Sequence, residues 1–128
     1  MEDKELRALE IELSRYRSID KRIAERQLEL MSKNGIDFIT HQTNALLNSQ
    51  EKIVGVWDED ITLRNLRLFK ETVGRLLELL DVEQCQIFDL RWVRCYSWRD
   101  IKDKIHCSKA SVYRKREVIL ELYASLKT

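Results

Sequence analysis

No proline occurs anywhere in this chain of 128 residues, and glycine occurs three times, at Gly35, Gly55 and Gly74. These two residue types are the strongest local interrupters of regular structure, so long stretches are free to run as unbroken helix. In those stretches the apolar residues recur in steps of three and four, the helical period, rather than alternating as strands do. The expected fold class is therefore all-α. Hydrophobic residues make up 44% of the chain against 35% charged, enough to supply a core and to exclude wholesale disorder.

No apolar run approaches the ~20 residues of a membrane span. The start, MEDKELRALE, lacks the basic-then-apolar layout of a secretory leader. Three cysteines form no C-x-x-C pair. A zinc site would have to draw on Cys85, Cys95, His106 and Cys107, whose spacings match no common finger. The cysteines read instead as small buried hydrophobes in a reduced, cytoplasmic protein. No metal or cofactor is expected.

Two regions follow from the patterning. Residues 1–80 read as a helical arm for dimerisation, with an irregular connector near 33–57, and residues 81–128 as a second domain. From Glu2 to about Ser32, Leu9, Tyr16, Ile23 and Leu30 step by seven, while the companion seam of Leu6 and Leu13 turns polar at Asp20 and Gln27. Such a partial heptad predicts one long amphipathic helix of roughly 45 Å. Its partner is a second helix of the chain or a second protomer, so a homodimer through the N-terminal helices is expected. Gly35 is a plausible stop. Residues 36–57 follow neither period, with IVGVW as a short extended or packed piece. Asp58, Glu59 and Asp60 then crowd a helix start, where negative charge suits the dipole. Leu66, Phe69, Val73, Leu76 and Leu80 form the next stripe, packed most simply against the first helix, with Gly74 admitting a close approach.

Residues 81–128 read as three helices punctuated by caps. Asp81 with Gln84 forms a capping box, opening a helix whose inward face is Cys85, Phe88 and Trp92. Ser97 with Asp100, and Ser108 with Ser111, supply two further starts. Between them Ile101–Cys107 gives about two turns of helix and a tight corner. Ile101, Ile105, Cys107, Val112 and Ile119 fill the inner positions a helix-turn-helix requires. His106 stands where a turn glycine is usual, a residue type that tolerates left-handed backbone at some cost. Lys102 stands where a small alanine is usual.

Charge follows the same frame. Residues 91–116 hold nine bases and two acids, a net of +7, although the whole chain carries only +1. Residues 1–80 hold 13 bases and 15 acids, so the near-neutral total averages an acidic arm with a basic head. A clustered basic face on a helix-turn-helix is the footprint of a phosphate-backbone binder. With Val112 and Ile119 inward, Ser108, Lys109, Ala110, Tyr113 and Arg114 are expected to face bases. Arg114 is suited to a guanine and the Ala110 methyl to a thymine methyl. Ser97, Arg99, Lys102, Lys104, Ser111, Lys115 and Arg116 are expected at phosphates. Trp92 and Trp98 are expected in the core.

The stretch LDVEQCQIFDLRWVRCYSWRDIKDKIHCSKASVYRKREVILELY resembles the sigma-factor region-four type of helix-turn-helix. It resembles more closely the RinA/ArpU group of phage and prophage regulators. The match is carried by Leu90-Arg91-Trp92, Ser97-Trp98, Ile101, Ile105, Ser108 and Ser111-Val112-Tyr113-Arg114, over roughly the last 45 residues. The resemblance implies an activator of late phage genes acting at promoter double-stranded DNA in a bacterial host cytoplasm, at the nucleoid. RNA polymerase is a further candidate partner.

No enzyme is expected, since there is no phosphate-binding glycine loop and His41 and His106 lack nucleophile or metal partners at readable spacing. Two alternatives stand beside the regulator. One is a phage terminase small subunit, in which the DNA-binding part usually comes first. The other is a helical interaction scaffold whose basic end takes an acidic protein.

Overall fold

In the computed structural model the described residues are 2–33 and 55–127, and all their regular structure is helical. The fold is all-α, as expected. The connector reading falls largely on residues 34–54, which lie outside the described residues. Among the described residues no helix is long and apolar enough to cross a membrane.

The N-terminal helix runs as α1 (Asp3–Leu13) and α2 (Ile19–Lys33), joined by a tighter 3-10 stretch over Ser14–Ser18. A serine at this point competes for backbone groups, and the Ser14 hydroxyl donates to the Ile11 carbonyl at 2.5 Å. Farther along lie α3 (Ile61–Leu79), α4 (Val82–Phe88), α5 (Trp98–Lys104) and α6 (Lys109–Lys127). A widened π turn over Asp89–Val93 follows α4, closed by the Arg94 N–H on the Asp89 carbonyl at 2.9 Å.

The chain divides into two compact units, one of Met1–Arg17 with Lys70–Thr128, the other of Ser18–Phe69. This division does not fall at residue 80. The leading helix joins the C-terminal helices because α1 packs on α6 and buries Leu6, Leu9 and Leu13. The heptad seam is also largely used inside the chain. Leu9 and Leu30 are buried, and Tyr16 meets the Phe88 ring edge-on at 5.6 Å.

In the unit of residues 18–69, Val56 and Trp57 pack on buried Met31. The IVGVW stretch is thus packed where described, and residues 55–59 are helical rather than extended. Asp60 caps α3, accepting the Leu63 N–H at 2.8 Å, whereas Asp58 and Glu59 of the expected acidic start lie in the preceding helical residues 55–59. The Asp60 carboxylate also takes a two-pronged bond from Arg26, at 3.0 and 2.8 Å. The Arg26 guanidinium holds the Asp60 carboxyl down at about 2.

The larger unit is built on a row of aromatic rings. Tyr16, Phe88, Trp92 and Trp98 follow one another at centroid separations of 5.6, 5.3 and 5.7 Å, and the two tryptophans are buried as expected. Val73, Leu76 and Leu80 of the α3 stripe are buried, whereas Leu66 and Phe69 are half-buried. Gly74 admits no close neighbour, since a Cβ there would meet nothing within 4 Å. The cysteines are corrected too: Cys85 and Cys107 are half-buried and Cys95 is exposed, with the Arg17 guanidinium against its sulfur.

All three expected caps form. Asp81 and Gln84 make a reciprocal capping box, Ser97 accepts the Asp100 N–H at 3.2 Å, and Ser108 accepts the Ser111 N–H at 3.1 Å. Between α5 and α6 the corner is closed by His106 in the left-handed region, φ 55°. It lets the Cys107 N–H reach the Lys102 carbonyl at 3.2 Å, the wide bond of a Schellman stop. Ile101, Val112 and Ile119 are buried behind this corner. His106→Gly is expected to raise stability by roughly 0.5–1 kcal/mol. That is what remains of a left-handed penalty of about 1–2 kcal/mol after glycine's extra unfolded-state entropy. Urea titration measures it, and a loss of stability would mean that the imidazole contributes more than the backbone conformation costs.

Candidate nucleic-acid interface

The exposed ends of α5 and α6 carry most of the expected contact residues. Ser108, Lys109, Ala110 and Arg114 are exposed, and Tyr113 is 42% exposed. Arg114 lies along its own helix, its Nε donating to the Ala110 carbonyl at 3.4 Å. Trp98, Arg99, Lys102, Lys109, Val112 and Tyr113 line a cleft of about 280 Å³ between the two helices. Its floor is apolar and its rim is basic.

On the expected phosphate set the structure is selective. Ser97, Arg99 and Lys104 are exposed, with the Lys104 ammonium 5.1 Å from the centre of the Tyr96 ring. Lys102 and Ser111 are half-buried, and Lys102 lies 3.6 Å from Asp103. Lys115 is held by Glu83, whose carboxylate raises the ammonium's pKa.

Arg116 does not lie on the expected surface. It is buried, and its guanidinium grips the Glu10 carboxylate through Nε and a terminal nitrogen, both at 2.8 Å. A phosphate would have to displace a buried partner already held by a charge-assisted fork. Arg116 therefore serves the interior of the unit.

Of the nine basic residues between 91 and 116, five are paired within the chain. Arg91 and Arg116 bind Glu10, Arg94 binds Asp89 at 2.9 Å, and Lys102 and Lys115 have the acids already named. Among the described residues Arg99, Lys104, Lys109 and Arg114 have no acidic partner. These four keep their charge available to an outside anion.

Glu10 itself is a residue that the periodicity reading missed. It projects from α1 with 14% side-chain exposure. Its Oε1 accepts from the Trp98 indole and from Arg91 Nε, each at 2.7 Å, while Oε2 takes Arg116. Burial pushes the carboxyl's pKa up, but these donors outweigh it and leave the group below its ordinary value of 4.5. Two residues later Glu12 accepts from the Tyr123 hydroxyl and from Lys127, both at 2.7 Å. Burial raises the Tyr123 phenol's pKa, and the Glu12 carboxylate beside it raises it further.

The family described as Protein of unknown function (DUF722) matches residues 3–125, nearly the whole chain. The chain belongs to this family. No curated protein and no solved structure matches it. The DUF722 match takes in α1 together with α6, so Glu10 and Arg116 both lie inside the matched stretch.

A depressed carboxyl stabilises the fold above its unfolded pKa and loses that contribution as the pH falls through its folded value. Glu10→Ala should therefore destabilise this DUF722 chain by about 3 kcal/mol near neutral pH, the usual cost of orphaning a buried ion-pair partner. The deficit should shrink as the pH falls below 4.5, where the unfolded carboxyl takes up its proton, and be lost as the pH passes through the lower folded-state value. Urea titrations at about pH 7 and about pH 3 measure both. An unchanged deficit at the lower pH would mean that Glu10 acts by packing rather than by charge.

Proposed function

We propose that this chain is a sequence-specific double-stranded DNA-binding transcriptional regulator, of the late-gene activator kind that the RinA/ArpU resemblance implies. The observation that carries the reading is the set of four exposed basic side chains without an acidic partner among the described residues, Arg99, Lys104, Lys109 and Arg114, on a capped helix pair. Attraction between such cations and the duplex backbone is independent of sequence and strongly salt-dependent. Specificity is the task of the first turns of α6, where Arg114 has the fork geometry for a guanine edge and the Ala110 methyl suits a thymine methyl.

In this reading Ser97, Arg99 and Lys104 orient the helix pair on phosphates, and Lys109 adds charge beside the bases. Tyr113, half-exposed over the cleft, presents its ring edge and hydroxyl to the same surface.

Gel-shift titration of the full chain against a selected duplex tests the assignment. Lys104→Ala should weaken all duplexes alike and reduce the salt slope by about one. Arg114→Ala should cost about 1–3 kcal/mol on the selected site and relax its sequence preference. If neither substitution changes duplex affinity, this helix pair is not the DNA-binding surface.

A further inference from the structure

We infer that Glu10 is a positioning residue that sets the sequence specificity of the α5–α6 pair, by holding the two helices in register from behind. The inference rests on the DNA-binding reading of that pair. One oxygen of the carboxylate accepts from Trp98, the first residue of α5, at 2.7 Å, and the other accepts from Arg116 of α6 at 2.8 Å. Trp98 lies between Ser97 and Arg99. Arg116 lies two residues beyond Arg114 and stacks 6.0 Å from the centre of the Tyr113 ring. A rigid planar group therefore links the backbone that carries the expected phosphate contacts to the backbone that carries the expected base contacts.

Base readout needs donor and acceptor atoms within hydrogen-bond geometry. Phosphate attraction tolerates misplacement, because it acts through the field. Loosening the α5–α6 register should thus harm specific binding and spare non-specific binding. Simple electrostatics predicts the opposite, since removing an acid from beside a basic surface strengthens attraction to every duplex alike.

The test uses the full chain, an operator duplex selected from random sequence, and a scrambled duplex of equal length. Affinities are read by fluorescence anisotropy over a salt series, and circular dichroism reports folding. Glu10→Gln removes the carboxylate's charge at nearly constant shape. Arg116→Lys keeps the cation but loses the fork, and it remains informative if the first variant folds poorly. Each is expected to lower operator affinity about tenfold, the equivalent of one lost charge-assisted bond. Affinity for the scrambled duplex should hold or rise, with an unchanged salt slope. The double variant should lose less than the two singles together, because both break one contact.

Parallel changes on both duplexes, or an Arg116→Lys variant with full operator affinity, would overturn the positioning role. A wild-type chain without preference between the duplexes would overturn the DNA-binding reading beneath it, and this inference with it.

Discussion

One half-buried carboxylate, that of Glu10, is what the C-terminal unit is organised around. Removing a carboxylate from water costs several kcal/mol, and its pairing must return that through short, well-aimed bonds. Here it receives an indole N–H and two guanidinium groups within 2.6–2.8 Å. The donors come from three places, the turn after α4, the start of α5 and the middle of α6. Meeting that requirement obliges these elements to converge on one side of α1. Glu12 repeats the device at the far end of α6, through Tyr123 and Lys127. The apolar row from Tyr16 to Trp98 belongs to the same unit and ends on Trp98, one of the Glu10 donors. Polar bonds fix the alignment of the helices, and burial of rings and leucines supplies most of the stabilisation.

This arrangement also sorts the charge. A stretch with a net of +7 would repel itself if all its cations shared one surface. Pairing Arg91 and Arg116 inward on one acid, and Arg94, Lys102 and Lys115 with acids nearby, leaves the uncompensated charge at Arg99, Lys104, Lys109 and Arg114. Surface pairs such as that of Arg94 contribute little to stability, yet they narrow where a phosphate backbone is attracted. The distribution of pairing, more than the total charge, gives the surface its direction.

Most of the local punctuation was legible in the residues. The caps at Asp81, Ser97 and Ser108, the left-handed His106 and the buried tryptophans follow from short-range chemistry, which one stretch of chain contains in full. Legibility failed where a residue's partner lies far along the chain. Glu10 falls four residues after Leu6 and three before Leu13, and Arg116 falls four after Val112 and three before Ile119. Both therefore sit on buried helical faces, and that placement was readable. The habit of assigning charge to solvent concealed it, and nothing local shows that the two meet across 106 residues. The 3-10 stretch and the π turn were missed for another reason. They depend on how neighbouring helices seat, which hydrophobic periodicity does not encode.

The division of the chain follows from the same physics. The stretch from Asp81 onward holds large buried side chains such as Phe88, Trp92 and Tyr123, but it is short, and small domains bury too little surface to be stable alone. Leu6, Leu9 and Leu13 complete that core, while Glu10 neutralises the two arginines that face it. An arm that carries both the missing apolar face and the counter-ion is structurally inseparable from the helix pair it supports. Dimerisation through the N-terminal seam would compete for Leu9 and Tyr16, which the chain already uses. The N-terminal helix is thus better understood as part of the head, and its continuation past Ser18 as the beginning of a separate unit.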